Sequence, residues 1–269
     1  MVSLNLQSIK DLRIVNEIRN KFLFKPSIYL KPKSNDVSVS DFFFWSNKNQ
    51  FETKFYITNL ASQILPDLPQ NDEVKIMIYD DQGNKIDLIN LSLNPFETKE
   101  FLFNKKIFQN KFGSFFVFHN FRELGDLIKN GCHVADRGYT GYRRGDGVWS
   151  FVHGNHYSAS IHQNYEVQSL MSRSFFKSEY KMQVSFVDSN SSELVINNPD
   201  KKIMKTDLLY FDENMKFIQK ESMKVNGMNT IVYNLSKFKF KYIEIKSNVI
   251  FCRPLVIKYY DTYFDIFHA

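Results

Sequence analysis

Apolar residues at the start of the chain recur every three to four positions. Leu6, Ile9, Leu12, Val15, Ile18 and Phe22 have charged and polar residues between them. That is the spacing of one amphipathic helix, ended by Pro26. Such a helix is expected to lay its apolar side over a sheet face or edge. Residues 26–40 then read as a polar connector. From Asp41 the period falls to two. Phe42 to Trp45 opens a buried strand, and Phe51, Thr53, Phe55 and Ile57 alternate with polar partners. Residues 61–72 read as a loop. Val74, Ile76 and Ile78 lead into Asp80–Asn84, a turn rich in residues that accept positive φ, and Ile86 and Leu88 lead out, so a hairpin is expected. Residues 96–103 and 112–118 supply two more strands, and 121–130 a short helix stopped by Gly131.

The second half repeats this plan. A shift of 132 carries Tyr79 and Asp80 to Phe211 and Asp212, and Ile86 to Ile218. It also carries Phe96, Thr98, Phe101 and Phe103 onto Met228, Thr230, Tyr233 and Leu235. A slightly smaller shift matches Phe51, Phe55 and Ile57 to Tyr180, Val184 and Phe186, and Phe116 and Phe118 to Ile243 and Ile245. Near the ends, Ser150–His153 parallels Asp265–His268, and Arg137 parallels Arg253. The ordered series of hairpins indicates a tandem duplication. The expected fold is all-β: two tandem, duplicated β-sandwich units, Ig-like or jelly-roll-like, behind a short N-terminal helix. Paired lipocalin-like barrels are the alternative. The expected division is 1–40 for helix and connector, 41–165 for the first β unit and 166–269 for the second.

Composition narrows the class. Of 269 residues, 43% are apolar and 16% aromatic, with 27 Phe, which supports a sizeable core and suits pleated, half-buried surfaces. The net charge of +6 is spread over many lysines without a run of five Lys/Arg. A nucleic-acid partner is therefore not expected. No segment approaches the roughly 18–20 apolar residues of a membrane span, and the N-terminus lacks the apolar core of a secretory signal. A cytoplasmic location without a membrane partner is the expectation. Two cysteines, Cys132 and Cys252, exclude a disulfide framework and a four-cysteine zinc site.

The candidate chemistry lies between His133 and His162. Six of the ten glycines fall between Gly131 and Gly154, four of the six histidines lie in the stretch, and lysine is absent between Lys129 and Lys177. Here the first unit departs from its twin: GYTGYRRGDGVW stands against PLVIKYYDTYF. Arg137, Arg143 and Arg144 offer forked donors suited to carboxylate, phosphate or sulfate. Tyr139, Tyr142, Trp149 and Tyr157 offer flat faces with polar edges, which suit sugar rings. His153 and His156 form an H-x-x-H pair, but on a strand positions three apart face opposite ways, so no metal site is assigned.

The leading expectation is a binding protein for a small polar or anionic, carbohydrate-like molecule, with Arg137, Tyr139, Tyr142, Arg143, Arg144, Trp149, His153 and His156 as its contacts. A second reading is an enzyme, metal-dependent or of lipocalin-like isomerase, hydratase or lyase type, using His153, His156 and Asp136 or Asp146 as acid and base. A third is an assembly protein whose helix and sheet edges join copies into a homo-oligomer. No cofactor and no nucleophile are assigned, since neither a phosphate loop, a dinucleotide fingerprint nor a G-x-S-x-G elbow is present.

Overall fold

The computed structural model describes residues 12–28, 30–32, 38–103, 108, 111–130, 135–136, 138–161, 166–182, 184–235 and 239–269, with backbone alone at 128–129, 135–136 and 156–158. The described residues are all-β with three short helices. Helix α1 (Arg13–Lys21) precedes β1 (Val39–Ser46) and β2 (Phe51–Thr58). Helix α2 (Leu60–Ile64) leads to β3 (Asp72–Asp80), β4 (Lys85–Leu93), β5 (Thr98–Leu102) and β6 (Phe112–Asn120). Helix α3 (Leu124–Lys129) follows, then β7 (Ala135–Asp136), β8 (Tyr139–Arg144), β9 (Ser150–His153), β10 (Asn155–Ile161) and β11 (Val167–Ser169). The remaining strands are β12 (Arg173–Lys181), β13 (Ser191–Asn197), β14 (Met204–Phe211), β15 (Phe217–Val225), β16 (Thr230–Asn234), β17 (Tyr242–Val249), β18 (Leu255–Tyr259) and β19 (Phe264–His268).

The described strands form four sheets. Order β11-β10-β1-β6-β3-β4, with β7 beside β1, faces order β5-β2-β8-β9; order β12-β17-β14-β15 faces order β16-β13-β18-β19. Pairing is antiparallel apart from β1–β7. Each sheet keeps two edges, so the strands make sandwiches and close no barrel among the described residues. The first core gathers Phe43, Trp45, Phe55, Ile57, Ile76, Phe115 and their neighbours; the second gathers Leu194, Ile196, Leu208, Ile243, Ile245 and Val256. Strand β1 is buried along its whole length. Phe43 and Trp45 enter the sandwich, while Phe42 packs on the opposite side against Phe116 and Val167.

Register demonstrates the duplication. Asp72 pairs with Leu93 and Met204 with Val225, both at a shift of 132, and the same bulge interrupts each hairpin, between Ile78 and Tyr79 and between Tyr210 and Phe211. Hairpin β8–β9 pairs Tyr139 with His153, and hairpin β18–β19 pairs Leu255 with His268, so Ser150–His153 does correspond to Asp265–His268. Two of the expected matches are corrected. Lys54 pairs with Leu102 and Glu193 with Asn234, which makes β2 equivalent to β13 at a shift of 139: Phe55 matches Leu194, not Val184. Likewise Phe115 and Val117, rather than Phe116 and Phe118, match Ile243 and Ile245, since each set enters its own core. A one-residue slip in strand register exchanges the two faces.

Candidate functional site

The hairpin β8–β9 lies beside β2, and alternation along these strands decides which candidates meet. Tyr139, Arg143, Phe151 and His153 take the outer face; Tyr142 and Val152 turn inward. Glu52 opposes Arg143 across the ladder, and its carboxylate accepts from the guanidinium, Nε at 3.1 Å and Nη2 closer still. Lys54 opposes Gly141. The missing side chain is filled from the other neighbour, because a Cβ at Gly141 would stand 2.5 Å from Cε1 of Phe151. The Phe151 ring therefore lies over Gly141, flanked by Tyr56 at 6.1 Å and Trp149 at 6.4 Å between centroids.

Among these rings sits the Lys54 ammonium, 4.3 Å from the Trp149 centroid, 5.0 Å from Tyr56 and 5.7 Å from Phe151. It also bonds Glu100 at 3.2 Å. Hydrogen bonding to Tyr56 first, and then to Glu100, raises the Lys54 pKa against a smaller opposing effect of burial. Arg143 lies 4.9 Å from the Trp149 ring. The face is thus a row of three rings threaded by two cations, each cation held by a carboxylate. Phe151 remains 44% exposed and Tyr139 59% exposed.

Several expected contacts are corrected. Tyr142 is fully buried: its hydroxyl donates to the Phe44 carbonyl at 2.7 Å and its ring stacks on Phe44. Arg144 faces away from Arg143, toward the Tyr259 ring at 5.6 Å, so the two forks do not converge. His153 bonds the Gly154 carbonyl and lies 4.6 Å, ring to ring, from His268 of the second sandwich. Asp146 occupies the β8–β9 turn while His153 ends the hairpin, seven residues and on the order of 20 Å of strand away. That acid–base pair is not assembled. Arg137, His133 and His162 lie outside the described residues, as do the side chains of Asp136, His156 and Tyr157. Among the described residues no group of three or more His, Cys, Asp or Glu is placed to hold a metal.

Sequence reasoning missed Lys54, Tyr56, Phe151, Glu52 and Glu100, because they come from ordinary alternating strands far from the glycine-rich stretch. It also missed the one His–carboxylate contact observed among the described residues, His119 Nδ1 to Asp72 Oδ2 at 2.7 Å. Both side chains are buried, and Asp72 also accepts from the Leu60 and Asn120 backbone N–H groups, which marks it as an internal strut. A cleft of about 630 Å³ lies elsewhere, between α1, β11 and the 200–202 turn. Its ions are largely matched within the wall: Arg13 with Glu17, Arg173 with Asp200 and Lys201 with Glu166.

No family model matches the chain, and no curated protein does. Two solved structures of Bacteroides uniformis β-glucuronidases, one of them a calcium-binding mutant, align at 8% and 9% identity, each with a TM-score of 0.15. The alignments cover 88% of this chain and 27% and 26% of those, so the chain spans about a quarter of their length. Similarity at that level carries no argument about fold or activity.

Proposed function

We propose that this is a carbohydrate-binding β-sandwich protein, with the outer face of β2, β8 and β9 as its binding surface. The supporting observation is the row Tyr56–Phe151–Trp149, with Phe151 exposed between two half-buried rings, bordered by Lys54, Arg143, Glu52 and Glu100. Aromatic faces accept the C–H face of a sugar ring, and the flanking charged groups reach its hydroxyls. Glu52 and Glu100 balance Arg143 and Lys54, so the face favours a neutral sugar over an anionic one. Of the polar or anionic ligands expected from the sequence, this reading keeps the polar one.

Retardation of the protein in native gels containing soluble polysaccharides tests the reading. Trp149→Ala and Phe151→Ala are expected to weaken binding about tenfold each, at roughly 1–1.5 kcal/mol per ring contact. Wild-type migration that no neutral polysaccharide alters would refute the reading. Binding retained by both variants would move the site to another surface, the cleft beside α1 first.

A further inference from the structure

Helix α1 is docked inside out. Its polar side faces the protein: Asn20 is 1% exposed, donates to the Ser172 hydroxyl at 2.9 Å and accepts from the Ser27 N–H at 2.7 Å. Arg13 donates to the Lys31 carbonyl at 2.6 Å and pairs with Glu17 at 2.8 Å. The apolar stripe at four-residue spacing, Ile14, Ile18 and Phe22, is turned out, each residue more than half exposed. The helix does lie against a sheet edge, β12, as expected from the sequence, but it is not the apolar stripe that covers it.

The surroundings enlarge the stripe. Arg19 donates to the Phe24 and Lys25 carbonyls and holds a turn in which Leu23 and Lys25 take φ of +55° and +46°. Non-glycine residues in that region are strained, and the turn they form leaves Phe24 exposed. On β12 a register irregularity between Arg173 and Ser178 leaves Phe175 and Phe176 both exposed, and Phe175 meets Phe22 edge to face at 5.7 Å. The result is a patch of exposed apolar side chains, joined where Phe22 meets Phe175, whose cations are Arg19, Lys21 (its ammonium 5.7 Å from the Phe175 ring) and Lys25. Between residues 12 and 28 the one acidic side chain is Glu17, already on Arg13.

We infer that this patch seats the protein on an anionic lipid surface. Ile14, Ile18, Phe22, Phe24, Phe175 and Phe176 would enter the boundary between headgroups and acyl chains, with the cations at the headgroup level. A second copy of the chain fits less well, because a symmetric contact brings the same uncompensated cations together. That no helix among the described residues is long and apolar enough to cross a membrane does not bear on this, since a surface-seated helix crosses nothing. The inference is independent of sugar binding, whose face lies on β2, β8 and β9.

Co-sedimentation with vesicles tests it. The full chain should pellet with phosphatidylcholine–phosphatidylglycerol (7:3) vesicles and bind pure phosphatidylcholine at least tenfold more weakly. Phe24→Ser/Phe175→Ser and, separately, Lys21→Glu/Lys25→Glu should each lose tenfold or more while melting like the wild type. Four outcomes would overturn it: no wild-type binding; equal binding to neutral vesicles; binding that appears only after residues 1–11 are removed; or a dimer in sedimentation velocity that Phe24→Ser/Phe175→Ser abolishes without any vesicle binding by the wild type. The third would show the patch to be covered by the chain's own N-terminus.

Discussion

At corresponding points of the two β3–β4 and β14–β15 turns stand Gly83 and Met215, both with positive φ, +79° and +61°. Met215 is exposed, whereas a Cβ at Gly83 would lie 2.7 Å from Cβ of Met228. Gly83→Ala therefore combines left-handed strain with a backbone-level clash between the sandwiches, and should cost about 2 kcal/mol or more. Met215→Gly should relieve strain and raise stability by up to about 1 kcal/mol. Denaturant midpoints measured side by side check the opposite signs. Asn59 and Asn198 make another matched pair. The Asn59 amide donates to the carbonyls of Gln70, Leu93 and Asn94; that of Asn198 donates to Lys202, Val225 and Asn226. The acceptors correspond at a shift of 132, but the asparagines are 139 apart. Constant-shift comparison of the sequence could not find them, since the intervening loop differs in length.

Asp207 shows how charge acts at this scale. Burial pushes its carboxyl up, yet Lys177 at 2.6 Å, the Ser222 hydroxyl and Lys220 at 3.3 Å outweigh burial and hold it below its ordinary value. A carboxyl with a lowered folded pKa contributes its full stability above the unfolded value near 3.8, and loses it as pH falls through the folded value. Asp207→Asn should destabilise by roughly 1–3 kcal/mol at pH 7, with a deficit that shrinks below pH 4. Urea unfolding at pH 7 and pH 3 measures this; a deficit independent of pH would show that shape rather than charge matters.

At the scale of elements, hairpin β8–β9 separates what its sequence seemed to unite. Strand alternation sends Tyr142 inward and Arg143 outward, so adjacent residues serve different ends. Tyr142→Phe should lower stability by about 1–2 kcal/mol, because it leaves the Phe44 carbonyl without its donor. It should leave gel retardation by polysaccharide unchanged, which separates it from Trp149→Ala. The hairpins, their turns and the duplication were legible because period-two patterns and turn residues are local signals. The binding face was not, since Lys54, Tyr56 and Phe151 become neighbours only through the pairing of β2 with β8. Helix α1 was legible as a helix and misread in orientation. Its docking is decided by Asn20 finding a buried partner in Ser172, with Arg13 fastened to the Lys31 carbonyl, more than by its apolar stripe.

For the whole molecule, the decisive feature is a third core between the sandwiches. Phe44, Phe51, Tyr142 and Val152 of the first pack against Val195, Leu255, Ile257, Phe264 and Ile266 of the second. Around it, Ser150 bonds Asp265 at 2.9 Å, Asn155 bonds the Arg253 carbonyl at 2.7 Å, and the Thr230 N–H donates to the Asp81 carbonyl at 3.1 Å. Edge strands β9 and β19, equivalent in the duplication, thus meet each other, and a seam of this apolar content should couple the halves into one unfolding unit. Phe264 is the place to test it, since its ring lies 5.0 Å from Phe51 across the seam. Truncation to alanine removes a buried aromatic at about 3–5 kcal/mol, which for a chain of this size is a fall in melting temperature of roughly 10 °C. Scanning calorimetry should show one transition in the wild type and one, displaced downward, in Phe264→Ala. Two resolved wild-type transitions, with only the later residues' transition moved by the substitution, would mean that each sandwich stands alone and that the seam merely rests between them.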